Sequence, residues 1–156
     1  MLDLQLRPFQ AGDEAAFRSL NEDWIAKFFV LEGPDREILG DPVGQILEPG
    51  GHIFMALSSG RAIGCCALLA LGDREFEVAK NTVMEEYRGQ GIGKKMLQYV
   101  IAQARVLGAT RLRLETSTKL ANAIHLYESL GFRHVPPERM VPSPYARANV
   151  FMEMML

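Results

Sequence analysis

Cysteine is nearly absent from this chain: two residues, Cys65 and Cys66, stand side by side. Neighbouring cysteines rarely bridge, and on a strand their side chains point to opposite faces. That argues against a disulfide framework and for reduced thiols packed in the core of a cytoplasmic protein. Long apolar runs are missing too. Nothing approaches the ~20 residues that a membrane helix needs. The opening Met1-Leu2-Asp3-Leu4-Gln5-Leu6-Arg7 alternates and carries charge, so it reads as a strand rather than a signal peptide. No excess of one charge exists: the formal net charge is −2, which gives no general pull toward nucleic acid or an anionic membrane. Basic residues do not interleave with an aromatic platform, which removes the usual footprint of nucleic-acid binding. His52, His125 and His134 are scattered and share no metal-ligand spacing. No metal is expected. Repeats and low-complexity linkers are also lacking, and 156 residues suit one domain with a single core.

What is present is a clear order of periodic segments. Leu2, Leu4 and Leu6 form one face of a strand that Pro8 stops. Asp13 is placed to N-cap a helix carrying Ala16, Phe17, Leu20 and Trp24 at helical spacing. Residues 30–51, with five glycines and three prolines, read as a loop-rich stretch with short helices. His52 to Leu57, Ala62 to Ala70 and Phe76 to Val83 form a meander. A helix follows that buries Ile92, Met96, Leu97, Val100, Ala104 and Leu107, with Gly108 as its left-handed stop. Arg111 to Thr116 is a strand with Leu112 and Leu114 on one face. A short helix with Ala123, Ile124, Tyr127 and Leu130 ends at Gly131, and strands around Phe132–Val135 and Asn149–Met155 close the chain. The expected fold is α/β of the α+β type. Its mixed, mostly antiparallel sheet of about six to seven strands is flanked by helices.

The richest segment is Tyr87-Arg88-Gly89-Gln90-Gly91-Ile92-Gly93-Lys94-Lys95, between a strand and a helix. Glycines let the backbone approach a ligand closely. The first helical N–H groups are unpaired and the helix dipole adds positive character, so the turn suits a phosphate or pyrophosphate. A nucleotide P-loop is not formed: Arg88 stands where its first glycine belongs and Lys95 where its hydroxyl belongs, leaving no magnesium ligand. A dinucleotide fingerprint fits Gly89 and Gly91, with Glu115 near the distance of a ribose ligand, but Lys94 replaces the third glycine. A meander also precedes the turn, where a parallel βα unit belongs. The third pattern, Arg/Gln-x-x-Gly-x-Gly/Ala, is met by Arg88, Gly91 and Gly93.

With this third pattern, and with Leu126-Tyr127-Glu128-Ser129-Leu130-Gly131-Phe132 downstream, the chain resembles the GCN5-related N-acetyltransferase (GNAT) superfamily. The resemblance runs through Phe76–Val83, Tyr87–Leu97 and Leu112–Phe132. It implies acetyl-CoA as acyl donor, with the pyrophosphate on residues 89–94 (Gly89, Gln90, Gly91, Ile92, Gly93, Lys94) beside Arg88, and the pantetheine arm along Asn81, Thr82 and Val83. It implies direct transfer of the acetyl group to a primary amine of a small molecule or peptide, and it allows a homodimer.

Acetyl transfer needs a base for the amine, a polarised carbonyl and a proton for the departing thiolate. Glu77, eleven residues before Arg88, matches the resemblance's base; simple alternation puts Glu77, Ala79, Asn81 and Val83 on one face. It also suits an exposed strand carboxylate. Tyr127 matches the tyrosine that protonates the thiolate, since a phenol with a reference pKa of about 10 stays protonated at neutral pH; it also suits a core aromatic. Glu115 matches a base of some relatives. Many relatives carry asparagine where this chain has Leu120, so Asn122 is the substitute candidate for CoA contact. That departure gives weight to a second reading, an acyl-CoA-binding regulatory module without turnover. For the acceptor, the resemblance points to Trp24 and Phe28, with the neighbouring Phe29, on one side and to Tyr145 and Arg147 on the other. The Arg147 guanidinium is suited to holding a carboxylate, or to lying in a solvated loop.

Overall fold

The computed structural model describes residues 3–156; Leu2, expected in the first strand, lies outside them. Seven strands form one sheet: β1 (Leu4–Pro8), β2 (His52–Ser58), β3 (Arg61–Gly72), β4 (Glu75–Val83), β5 (Arg111–Thr116), β6 (Arg133–His134) and β7 (Val150–Met155). Their spatial order is β1-β2-β3-β4-β5-β7-β6. Every neighbouring pair is antiparallel except β4 and β5. Helices α1 (Glu14–Phe28) and α2 (Gly33–Gly40) serve one face; α3 (Ile92–Val106) and α4 (Ala121–Leu130) serve the other. The expected class and strand number match this architecture.

Strands β2 and β3 are buried on both sides, so they read as unbroken apolar runs rather than alternating ones. Ile53, Met55 and Leu57 face α1 and α2, while Phe54 and Ala56 face α3. The adjacent cysteines divide the same way, Cys65 toward α1 and Cys66 toward α3. Both are free thiols. Burial pushes the Cys65 thiol up to about 12, and burial raises Cys66 as well. Neither is a thiolate at neutral pH, which leaves them packing roles.

Three local expectations need correction. Asp13 stands at the N-cap of α1, but its carboxylate is taken by Arg7 (2.7 and 3.1 Å) and by the Gln10 amide, so no side-chain cap bond forms. Leu107 is exposed, because it is the C-cap residue and the chain is already leaving the helix axis. Helix α4 contains no fully buried residue; Ile124, Leu126, Tyr127 and Leu130 pack against the core from its edge.

The loop-rich stretch holds α2 and one wide helical turn, Val43–Leu47, before a tight entry into β2. There Gly51 is buried, and a Cβ on it would lie 2.5 Å from the Leu68 carbonyl oxygen and 2.6 Å from that of Ile46. Backbone atoms cannot rotate away as side chains can. Gly51→Ala should therefore cost about 1–3 kcal/mol in urea unfolding. Unchanged stability would show that this corner relaxes freely.

Candidate active site

Strands β4 and β5 pair over only three residues, Glu75, Phe76 and Glu77 against Arg111, Leu112 and Arg113. Beyond Glu77, among the described residues, no strand partners that edge of β4, so its backbone groups are left for something else. Opposite β3 the register also breaks: Cys65 faces Thr82, but Ala67 faces Ala79, so β4 carries one extra residue. The bulge bends the strand, and Lys80 there has φ of 51°, uncommon outside glycine.

The bulge overturns the simple alternation expected for β4. Phe76 and Val78 face α3, and Glu77 lies on the opposite face beside Arg113 and Glu115. After the extra residue the parity reverses. Lys80 points toward α2, while Asn81 reaches Tyr127 and Val83 joins the α3 side. Glu77 and Asn81 therefore approach the split from opposite faces of the sheet.

A cavity of about 230 Å³ fills the split. Glu77, Asn81, Thr82 and Val83 of β4 line it, with Glu115 of β5, Tyr127 of α4, Gly93 of α3, Trp24 of α1, and Tyr145 and Arg147 of the last loop. All of these were named from sequence, and they line one cavity. Others lie outside it. Arg88, Gly89, Gln90, Gly91 and Lys94 form the exposed turn beyond its end, and Ile92 is buried in the core, so only its backbone is available to a ligand. Phe28 is exposed outside the cavity, because α1 ends there and the extended Phe29 turns inward instead. Asn122 is exposed and outside; Leu120, two residues earlier and at the N-cap of α4, lines the cavity in its place.

The turn itself is built as a cradle. Gly91 is the N-cap of α3 with φ of 78°, a left-handed conformation that glycine adopts without strain. No atom lies within 4 Å of where a Cβ on Gly89 or Gly91 would sit, so the concave side is open. The Arg88 Nε donates to the Val83 carbonyl at 3.1 Å, tying the cradle to the end of β4. Its guanidinium lies over the Phe28 ring.

Glu77 and Glu115 share one cation: Arg113 Nη2 donates to Glu77 at 3.1 Å and reaches Glu115 at 3.4 Å. Ser143 Oγ donates to Glu115 at 2.6 Å. Burial and the neighbouring Glu115 charge raise the Glu77 carboxyl against the opposing pull of Arg113. On the far wall, burial raises the Tyr127 phenol while the Asn81 side chain works against it. The phenol remains a proton donor at neutral pH.

Sequence reading missed the cluster behind the acceptor side of the cavity. Asp35 of α2 is fully buried. It accepts from Lys80 Nζ at 2.6 Å and from two Arg147 nitrogens at 2.7 and 2.8 Å. It also accepts from the Glu32 amide at 2.9 Å, completing a reciprocal cap of α2. Burial alone would raise its carboxyl; the hydrogen bonds from Arg147 and Lys80 outweigh that and hold it far below the usual range. The visible signal was Glu32-Gly33-Pro34-Asp35, a helix-start pattern. Nothing local announced that Asp35 also receives two cations from distant segments. Arg147 is corrected accordingly: its fork is already filled by Asp35 and Glu32, rather than free for a substrate carboxylate.

A family model described as acetyltransferase (GNAT) family matches residues 4–132. The chain belongs to the GNAT family. Relatives agree with that membership. The uncharacterized N-acetyltransferase YjgM of Escherichia coli is 32% identical over 61% of this chain and 59% of its own length. Several rodent N-acetyltransferase 8 relatives match over less than half of theirs, so the chain spans about half the length of these curated relatives. Among solved structures, a GNAT acetyltransferase of Staphylococcus aureus superposes with a TM-score of 0.87 at 20% identity, covering 97% of this chain and 98% of that one. The acetyltransferase yncA of Salmonella typhimurium, solved with acetyl-CoA, superposes with a TM-score of 0.77 at 19% identity, covering 98% and 94%. At these identities the likeness concerns the GNAT fold.

Proposed function

We propose that this GNAT protein transfers an acetyl group from acetyl-CoA directly to a primary amine of a small molecule or peptide. One observation carries the reading: one cavity in the β4–β5 split brings Glu77, Glu115 and Tyr127 together with Gly93, in the first turn of α3. Residues 89–94 would hold the pyrophosphate on backbone amides, with Arg88 and Lys94 supplying charge. The free edge of β4 at Asn81, Thr82 and Val83 would take the pantetheine arm, and amides there would polarise the acetyl carbonyl. The relative solved with acetyl-CoA supports this donor.

Glu77 accepts the proton of the incoming ammonium, directly or through water. The neutral amine attacks the thioester carbonyl, and its nitrogen loses a further proton to solvent as the amide forms. As the C–S bond breaks, Tyr127 protonates the thiolate and recovers its proton from solvent. Both partners are bound together, which a shared cavity permits. A cytoplasmic location accords with the buried free thiols. A homodimer is the assembly that light scattering would test.

Calorimetry with acetyl-CoA tests the donor, and CoA release across amines, amino acids and peptides tests transfer. Binding without product on any amine would favour an acyl-CoA-responsive module instead. With a reactive amine, kcat/KM should rise with pH through the raised Glu77 pKa and level off above it, since the base works only when ionised. Glu77→Gln should remove that rise and cost roughly 10²-fold near neutrality. An unaltered pH profile in the variant would assign deprotonation to solvent.

A further inference from the structure

The acceptor wall contains both signs of charge, and its bonding decides which sign an entering molecule meets. The two cations lining it are Lys80 and Arg147. Lys80 Nζ is spent on Asp35 at 2.6 Å and on the Tyr145 hydroxyl at 3.2 Å. The Arg147 fork is spent on both oxygens of Asp35 and on Glu32. The Arg147 guanidinium also lies 4.3 Å from the Tyr145 ring centroid and 5.8 Å from that of Phe29. Both cations are thus neutralised and covered. The lining carboxylates are treated differently: Glu77 and Glu115 divide a single arginine, Arg113, at 3.1 and 3.4 Å. Counting the wall with the groups bonded to it, four carboxylates (Glu32, Asp35, Glu77, Glu115) meet three cations (Lys80, Arg113, Arg147). The surplus is negative and lies at Glu77 and Glu115. Around it stand Trp24, Ile25, Phe29 and Leu69.

We infer that Asp35 sets the acceptor class: by occupying Lys80 and Arg147 it leaves the site selective for a small apolar or aromatic ammonium that carries no carboxylate beside the amine. This rests on the transferase reading above and deepens it. An ammonium entering such a site gains from the unshared charge of Glu77 and Glu115, and its hydrocarbon is buried against the aromatic wall. A carboxylate beside the amine would enter against that charge and find both lining cations spent; Lys119, exposed and 5.4 Å from the Phe29 ring centroid, stands outside the lining. Like-charge juxtaposition is an effective means of rejecting a wrong partner. Asp35 acts through Lys80 and Arg147, so it is a positioning residue.

Phenethylamine, phenylalanine methyl ester and phenylalanine share one ring and one amine and differ in the carboxylate. Each is titrated calorimetrically into the protein with and without CoA, so amine binding is read independently of turnover. The amine and the ester should each bind at least about tenfold tighter than the acid. Equal or tighter binding of phenylalanine, or no binding of any of the three, would overturn the inference. Failure of CoA itself to bind would instead count against the proposed function. Asp35→Asn removes the charge that holds Lys80 and Arg147, leaving Arg147 to Glu32 alone, and should narrow or invert the ratio between ester and acid. A merely structural role would weaken both alike and leave the ratio unmoved.

Discussion

Tyr127→Phe should lower kcat by roughly 10²–10⁴-fold while leaving acetyl-CoA affinity unchanged. In the proposed mechanism the phenol hydroxyl is the proton source; it belongs to a residue lining the same cavity as Glu77, and the substitution removes that oxygen alone. The ring stays, with its centroid 5.9 Å from that of Phe132 in an edge contact, so packing at the α4 edge is preserved. Single-turnover rates with bound acetyl-CoA separate chemistry from product release. Because the missing proton belongs to the leaving thiol, the loss should be the same for good and poor amine nucleophiles. Full turnover in the variant would move the acid role to solvent and leave Tyr127 as an aromatic of the cavity wall.

The second large effect is on stability. Asp35→Ala removes the one carboxylate that faces both Lys80 and Arg147, leaving two cations against each other under α2. Breaking a buried pair in this way typically costs about 3–5 kcal/mol, a large part of a domain's total. Urea unfolding should show a lower midpoint with the same slope. Adding Lys80→Met should recover part of the loss, since the uncompensated charge is then gone. The pH dependence has a definite sign. The Asp35 carboxyl is held below its unfolded value, so its contribution is fully present above about pH 4 and is lost as pH falls toward the folded value. The gap between wild type and Asp35→Ala should therefore close in acid. A gap independent of pH would mean that lost packing, not lost charge, explains the variant.

The sheet, its strand order along the chain and the cradle were legible because each rests on a local signal. Alternation marks β1 and β5, glycine marks the ends of α3 and α4, and the helix-start geometry marks the anion turn. The proposed donor half of the site is contiguous from β4 to α3, so spacing alone could locate it. The acceptor half is not. Asp35, Lys80 and Arg147 come from three separate segments, and their pairing depends on a bulge that no residue pattern in β4 announced. Period-two counting fails at one inserted residue, so Glu77 and Asn81 were put on one face when they belong to two. Asn122 and Phe28 lie outside the cavity for a related reason: each sits at an element end, where a residue or two of difference decides whether a side chain turns inward.

The short seam between β4 and β5 has a mechanical consequence. Strands β1 to β4 follow one another in both chain and sheet, and β5, β7 and β6 form the other side. Besides three rungs and the α3 connection, the leaves share the core beneath α3, and the Arg147 bonds to Glu32 and Asp35 tie the last loop to α2 across the split. Widening the mouth therefore needs no strand to leave its ladder, but it must break those bonds. The same ion pairs that neutralise the wall also resist its opening.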